Sequence, residues 1–127
     1  MEINIKKIIP LLALVLVFTT CKKNKLGGDC VIEGIVKHHT KIIKGASVFI
    51  KFKAIDQPAG DTTVYDAKVR ADDNGYFKFD VYKGKYFIYG FGYDYGIPAP
   101  YTVVGGQPVK VRSKETVSIT LYITDGD

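Results

Sequence analysis

The chain is predicted to fold as an all-β sandwich of about seven strands, and three observations carry the prediction. The first is alternation. In Tyr76–Val81 the residues Phe77, Phe79 and Val81 fall on one face and Tyr76, Lys78 and Asp80 on the other, the period of two that marks a half-buried strand. Val117, Ile119, Leu121 and Ile123 alternate in the same way with Thr116, Ser118, Thr120 and Tyr122. The second is punctuation: Asp73-Asn74-Gly75, Lys83-Gly84 and Ser113-Lys114-Glu115 break the chain at short spacing, as turns between strands do. The third is composition. Nine Tyr and seven Phe suit a pleated, half-buried surface, and no helical periodicity appears after the N-terminus. With 127 residues the chain can form one domain with a true core.

The N-terminus stands apart from that domain. Lys6 and Lys7 precede an apolar run over residues 8–18, shorter than the roughly 20 residues a membrane-spanning helix needs. Thr19, Thr20 and then Cys21 follow. This order makes residues 1–20 a secretory signal peptide. Small residues directly before a Cys resemble a bacterial lipoprotein signal, in the looser form found in Bacteroidota, with Phe18 where Leu is usual and Thr20 where Gly or Ala is usual. The resemblance implies cleavage before Cys21 and acylation of that Cys, palmitate included, so the membrane becomes a partner through a lipid anchor. Lys22 after the Cys, where Asp would favour the inner membrane, implies the outer membrane. The acidic run common in surface-exported relatives is missing, which leaves the leaflet open. Residues 21–29 read as a tether with Gly27-Gly28 as a flexible hinge, and residues 30–124 as the sandwich.

Loss of Lys6, Lys7 and Glu2 with the signal takes the formal charge from +5 to +4. The basic residues read as scattered along a solvated sheet face, some beside acids, and not as the cluster a nucleic-acid footprint needs. No nucleic-acid partner is expected. If Cys21 carries lipid, Cys30 is the odd cysteine. It reads as a small buried hydrophobe at a strand start, with a Cys21–Cys30 disulfide as the competitor if Cys21 is not acylated.

In chain order, residues 30–37 form the first expected strand, with Gly34 at a bulge or close approach. His38-His39 belongs to a polar connection. Residues 46–53 form a second strand, with Ala46, Val48, Ile50 and Phe52 on one face. Pro58 and Gly60 mark a loop, and residues 62–70 a third strand of uncertain register. The hairpin of Tyr76–Val81 and residues 86–91 follows. Tyr86, just past Lys83-Gly84-Lys85, is placed to hydrogen-bond back across the corner with its hydroxyl. Residues 92–106 read as a long irregular crossing, residues 108–112 as a short strand, residues 117–123 as the last strand, and residues 124–127 as a polar tail.

Together, Gly34-Ile35-Val36, Lys44-Gly45-Ala46-Ser47-Val48, Asp73-Asn74-Gly75-Tyr76-Phe77, Gly84-Lys85-Tyr86-Phe87-Ile88 and the last strand resemble the carboxypeptidase regulatory-like domain. The resemblance covers about residues 30–123 and implies a transthyretin-like Greek-key sandwich. These motifs mark turns and core faces. The implied role is a non-catalytic accessory that supports or docks other envelope components.

Candidate chemistry is sparse. Adjacent His38 and His39 on an extended segment face opposite ways and would chelate one ion poorly. Intradiol dioxygenases share a transthyretin-like core but need spaced His and Tyr ligands. Hydroxyisourate hydrolases of this shape end in Tyr-Arg-Gly-Ser, where this chain ends Leu121-Tyr122-Ile123-Thr124. The groups for acid–base work are lacking, so no enzyme, metal or cofactor is expected. Asp72, Asp73 and Asn74 offer oxygens to calcium only if acids such as Asp61 or Asp94 converge on them, and turn chemistry explains the triplet without an ion. The most informative stretch is residues 86–101. With Tyr86 and Ile88 inward, Phe87, Tyr89, Phe91, Tyr93 and Tyr95 share the outer face, a potential aromatic platform for a glycan or peptide partner. The competing reading buries these rings under cross-strand neighbours and the Pro98-Ala99-Pro100 loop.

Overall fold

The computed structural model describes residues 22–126; the signal segment and Cys21 lie outside them. Alternation and turns produce eight strands in two sheets: β1 (Leu26–His38), β2 (Lys41–Ile42), β3 (Ser47–Phe52), β4 (Ala67–Arg70), β5 (Tyr76–Val81), β6 (Gly84–Tyr93), β7 (Thr102–Val111) and β8 (Thr116–Tyr122). In the first sheet β1 is central. It pairs antiparallel with β5, then with β2 where β5 ends, and parallel with β8 along its other edge. The second sheet is antiparallel in the order β4-β3-β6-β7. The chain passes from β3 and β4 to β5 in the opposite sheet and returns with β6 beside β3, a Greek-key return.

The inner faces interdigitate as alternation requires. Ile32, Val36, Phe77, Phe79 and Val81 from the first sheet meet Val48, Ile50, Tyr86, Ile88 and Val109 from the second. Burial of each large apolar side chain contributes roughly 1.5–3 kcal/mol before chain entropy is counted. The close approach expected at Gly34 is present: a Cβ there would lie 2.4 Å from the Ile119 carbonyl oxygen. The corner predicted at Tyr86 also forms. Its hydroxyl donates to the carbonyls of Tyr82 and Lys25, and burial pushes its phenol up to about 12. At the Asp-Asn-Gly turn the capping carboxylate is Asp72, which accepts from the backbone N–H groups of Asn74 and Tyr76.

Several expectations change. The tether reading fails from Asn24 onward. Strand β1 starts at Leu26, Asn24 Oδ1 accepts from Lys85 N at 2.9 Å, and Lys25 O accepts from Tyr82 N at 2.9 Å. Gly27 and Gly28 form no loose hinge. They adopt positive φ in a bulge under the Tyr82 ring, which lies 2.7 Å from a Cβ placed at Gly28. Residues 62–66 are not strand: Asp61 caps a single 3-10 turn, Thr62–Val64, by accepting from Thr63 N. Much of the expected irregular crossing is β7, which pairs with β6 from Thr102 onward. Its Gly105 and Gly106 are packing positions, where a Cβ would lie 2.5 Å from the Tyr122 carbonyl oxygen and 2.5 Å from Phe87 Cε1. Thr124 bridges to Val104 instead of trailing away. Cys30 is buried as expected, its thiol donating to the Arg112 carbonyl at 3.2 Å.

The strand directions create two poles. At one, the starts of β1 and β6 meet the ends of β3, β5 and β7. At the other, the ends of β1 and β6 meet the β2–β3 turn, the β4–β5 turn and the 94–101 loop.

Candidate functional site

The second pole carries the most developed surface feature, a cleft of about 940 Å³. Its position follows from β6. Tyr86 and Ile88 point into the core, so Phe87, Tyr89, Phe91 and Tyr93 take the outer face. The inner positions after Ile88 are Gly90 and Gly92, and the room they leave is filled by Leu121, Ile123 and Ile43. The outer row divides in two. Phe87 is only 6% exposed, with its ring over Gly106, so it offers nothing to a ligand and leaves the predicted platform. Tyr89 is half-buried and stacks on Tyr65 at 5.5 Å, with Phe49 beside both. This lower half is packing, as the competing reading held.

The upper half is open. Phe91 is half-buried and meets Tyr93 edge-on at 5.5 Å. Tyr93 is 49% exposed and Tyr95 75% exposed, their rings nearly parallel at 6.2 Å. Tyr101, across the loop, closes on Tyr95 at 5.1 Å. Phe91, Tyr93 and Tyr95 line one wall of the cleft, and Lys44, Arg70 and Asn74 stand among its polar groups. Neither Lys44 nor Arg70 has an ion-pair partner among the described residues. The cleft thus sets apolar ring faces beside polar groups that can hydrogen-bond.

The loop that presents Tyr95 and Tyr101 is anchored by a group the sequence reading missed. The sequence places His38 in a polar connection, but it is 4% exposed at the end of β1. Its Nδ1 lies 2.7 Å from Asp94 Oδ2. An ionised carboxylate only accepts, so Nδ1 carries the proton. Lys41 Nζ donates to Asp94 Oδ1 at 2.6 Å, and Gly96 N donates to the same oxygen at 2.9 Å. The His38 bond first, then Lys41 and Gly96, hold the Asp94 carboxyl well below the usual carboxylate range. The phase of β1 was the available signal: Cys30, Ile32, Gly34, Val36 and His38 share its inward face. His39 points away and is exposed.

A carboxyl with a lowered folded pKa stabilises the fold above its unfolded pKa of about 3.9, and that stabilisation fades as pH falls below this value. Urea midpoints of the wild type are therefore expected to fall more between pH 7 and pH 3 than those of Asp94→Asn. Equal falls would show that Asp94 does not hold the loop.

The other acids suggested for calcium are engaged separately, Asp72 in its turn and Asp61 at the 3-10 cap. Among the described residues no group of three or more His, Cys, Asp or Glu is placed to hold a metal ion. No helix among them is long and apolar enough to cross a membrane.

No family model matches the chain, and no curated protein matches it. Among solved structures, the chain is similar to a Pseudomonas aeruginosa protein described as a "putative carbohydrate binding protein". The two are 16% identical with a TM-score of 0.54, over 80% of this chain and 92% of that one. At that identity the likeness shows a shared fold: this chain is a two-sheet β-sandwich of the same architecture.

Proposed function

We propose that this protein is a non-catalytic, lipid-anchored binding module of the cell envelope, with a glycan as the ligand of its tyrosine-lined cleft. The observation that carries the reading is the exposed pair Tyr93 and Tyr95, held in near-parallel stacking beside unpaired Lys44 and Arg70. Sugar rings present C–H faces to aromatic rings and hydroxyls to polar groups, so this wall fits them on both counts. The Pseudomonas aeruginosa neighbour lends the reading loose support through its own description. The carboxypeptidase regulatory-like resemblance fits the same role, an accessory that holds and does not transform. The only buried His–Asp pair among the described residues favours binding over hydrolysis as well. His38 is 4% exposed, and its Nε2 lies 3.8 Å from the Asp125 carboxylate.

The test is a glycan array probed with the folded domain and with Tyr95→Ala and Tyr93→Ala. At least one oligosaccharide is expected to bind, and each substitution to weaken it about tenfold or more, equivalent to about 1.4 kcal/mol. Binding that ignores both changes would remove the cleft from the account. The anchor has a separate test: Cys21→Ser is expected to move the protein from the membrane fraction to the soluble one, since acyl burial supplies about 0.8 kcal/mol per CH2. A variant that stays with membranes would contradict acylation.

A further inference from the structure

The pole opposite the cleft is basic, contrary to the scattered charges expected from the sequence. Lys53 just past β3, Lys83 just before β6 and Lys85 inside its start, and Lys110 near the end of β7 with Arg112 just past it, gather there with Lys23 of the incoming chain around one shallow concavity of about 610 Å³. All six side chains are exposed. None makes an ion pair among the described residues. Glu115 and Asp29 form no ion pair with them: Glu115 accepts from the Arg112 backbone N–H at 2.9 Å, and the Cys30 thiol lies 3.9 Å from Asp29. Ion-paired lysines lie elsewhere, as in Lys51–Asp66 at 3.6 Å and Lys78–Asp80 at 3.7 Å. Six unpaired cations on one face repel each other, a cost that an anionic surface would remove.

The same pole receives the N-terminal segment. Asn24 N donates to Lys83 O at 2.9 Å, and Asn24 Oδ1 accepts from Lys85 N. The chain is therefore fixed to the pole from Asn24 onward. Asn24 is three Cα steps from Cys21, a reach of roughly 10 Å. A lipid on Cys21 would hold this concavity at headgroup level, within about one Debye length of the surface.

We propose that the basic pole docks directly on the anionic headgroups of a bilayer and so points the tyrosine cleft away from the membrane. The setting rests on the anchored reading above, but the docking surface belongs to the folded domain and acts without lipid. Among the described residues, every member of the buried core lies from Cys30 to Ile123, so a chain of residues 22–127 contains both sheets with their core and is expected to fold on its own. It can be tested unacylated.

The experiment is sedimentation of that chain with vesicles of phosphatidylcholine alone or mixed with phosphatidylglycerol. Binding is expected only to the mixed vesicles, and is expected to collapse as ionic strength rises from about 0.1 to 1 M, where the Debye length shortens from about 10 to 3 Å. Each basic residue near such a surface is worth about fivefold in partitioning. The triple variant Lys83→Glu, Lys85→Glu, Lys110→Glu is therefore expected to lose about a hundredfold or more, with an unchanged urea midpoint. Equal binding to neutral vesicles, or full binding by the triple variant, would overturn the proposal. Stronger binding to a soluble polyanion such as heparin than to the mixed vesicles would also overturn it, in favour of an anionic polysaccharide partner. The triple variant is expected to keep its cleft ligand, so failure at this pole and failure of the glycan reading are seen separately.

Discussion

Gly34→Val is expected to lower the stability of the fold by at least about 3 kcal/mol. Gly34 sits in the middle of β1 on its inward face, with β5 on one edge and β8 on the other. A Cβ at this position would lie 2.4 Å from the Ile119 carbonyl oxygen, 2.9 Å from Ile119 Cγ1 and 3.0 Å from the Phe77 ring. The nearest obstacle is backbone, which cannot swing aside as a side-chain end can. Overpacking typically costs 1–3 kcal/mol, and displacing the parallel β8 strand would carry the cost to at least about 3 kcal/mol. Domains of this size hold only about 5–15 kcal/mol in all. Circular dichroism and urea titration would check it. A Gly34→Val protein with a wild-type midpoint would mean that β8 is free to shift away from β1.

Phe77→Ala is expected to cost about 3–5 kcal/mol by the same measurement. Phe77 is the direct cross-strand partner of Gly34, is 2% exposed and meets Phe79 edge-on at 6.2 Å. Its ring occupies the room that the missing Gly34 side chain leaves. The site has little freedom to collapse, because β1 is pinned on both edges, so most of the lost volume would remain as a cavity. The two substitutions share this space and are not expected to add. A loss below about 1 kcal/mol for Phe77→Ala would show that the sheets close over the gap.

Much of the fold was legible because half-buried strands announce themselves by period. Tyr76–Val81 coincides with β5, and the alternation over residues 117–123 lies within one residue of β8. β2 is only two residues long, Lys41–Ile42, too short to show a period, and the full length of β7 was hidden by glycines that usually break strands. Gly105 and Gly106 read as the end of a crossing, yet the two glycines are there because Tyr122 and Phe87 press against the strand. A single sequence shows the glycine but not the neighbour that demands it. The tether was misread for the same reason, since Tyr82 over Gly27-Gly28 is a contact across 54 residues of chain.

The site was half legible. The outward phase of Phe87, Tyr89, Phe91 and Tyr93 was correct, but period alone cannot say which outward rings are covered. Gly106 receives Phe87 and Tyr65 receives Tyr89, while Tyr93 and Tyr95 extend past the sheet to the loop that Asp94 holds. His38 was missed because its neighbour His39 drew the pair toward a loop. The clustering of lysines at one pole was invisible too, because Lys53 just after β3, Lys85 on β6 and Lys110 on β7 meet only in the folded sheet.

The tyrosine wall is the proposed ligand surface. Its most direct measurement is a titration of the folded domain with the best oligosaccharide from the array, followed through the ring resonances of its tyrosines by NMR. Shifts concentrated on Tyr93, Tyr95 and Tyr101, with Tyr65 and Tyr89 unmoved, are the expected result. Binding that shifts resonances elsewhere and leaves those three rings silent would contradict it.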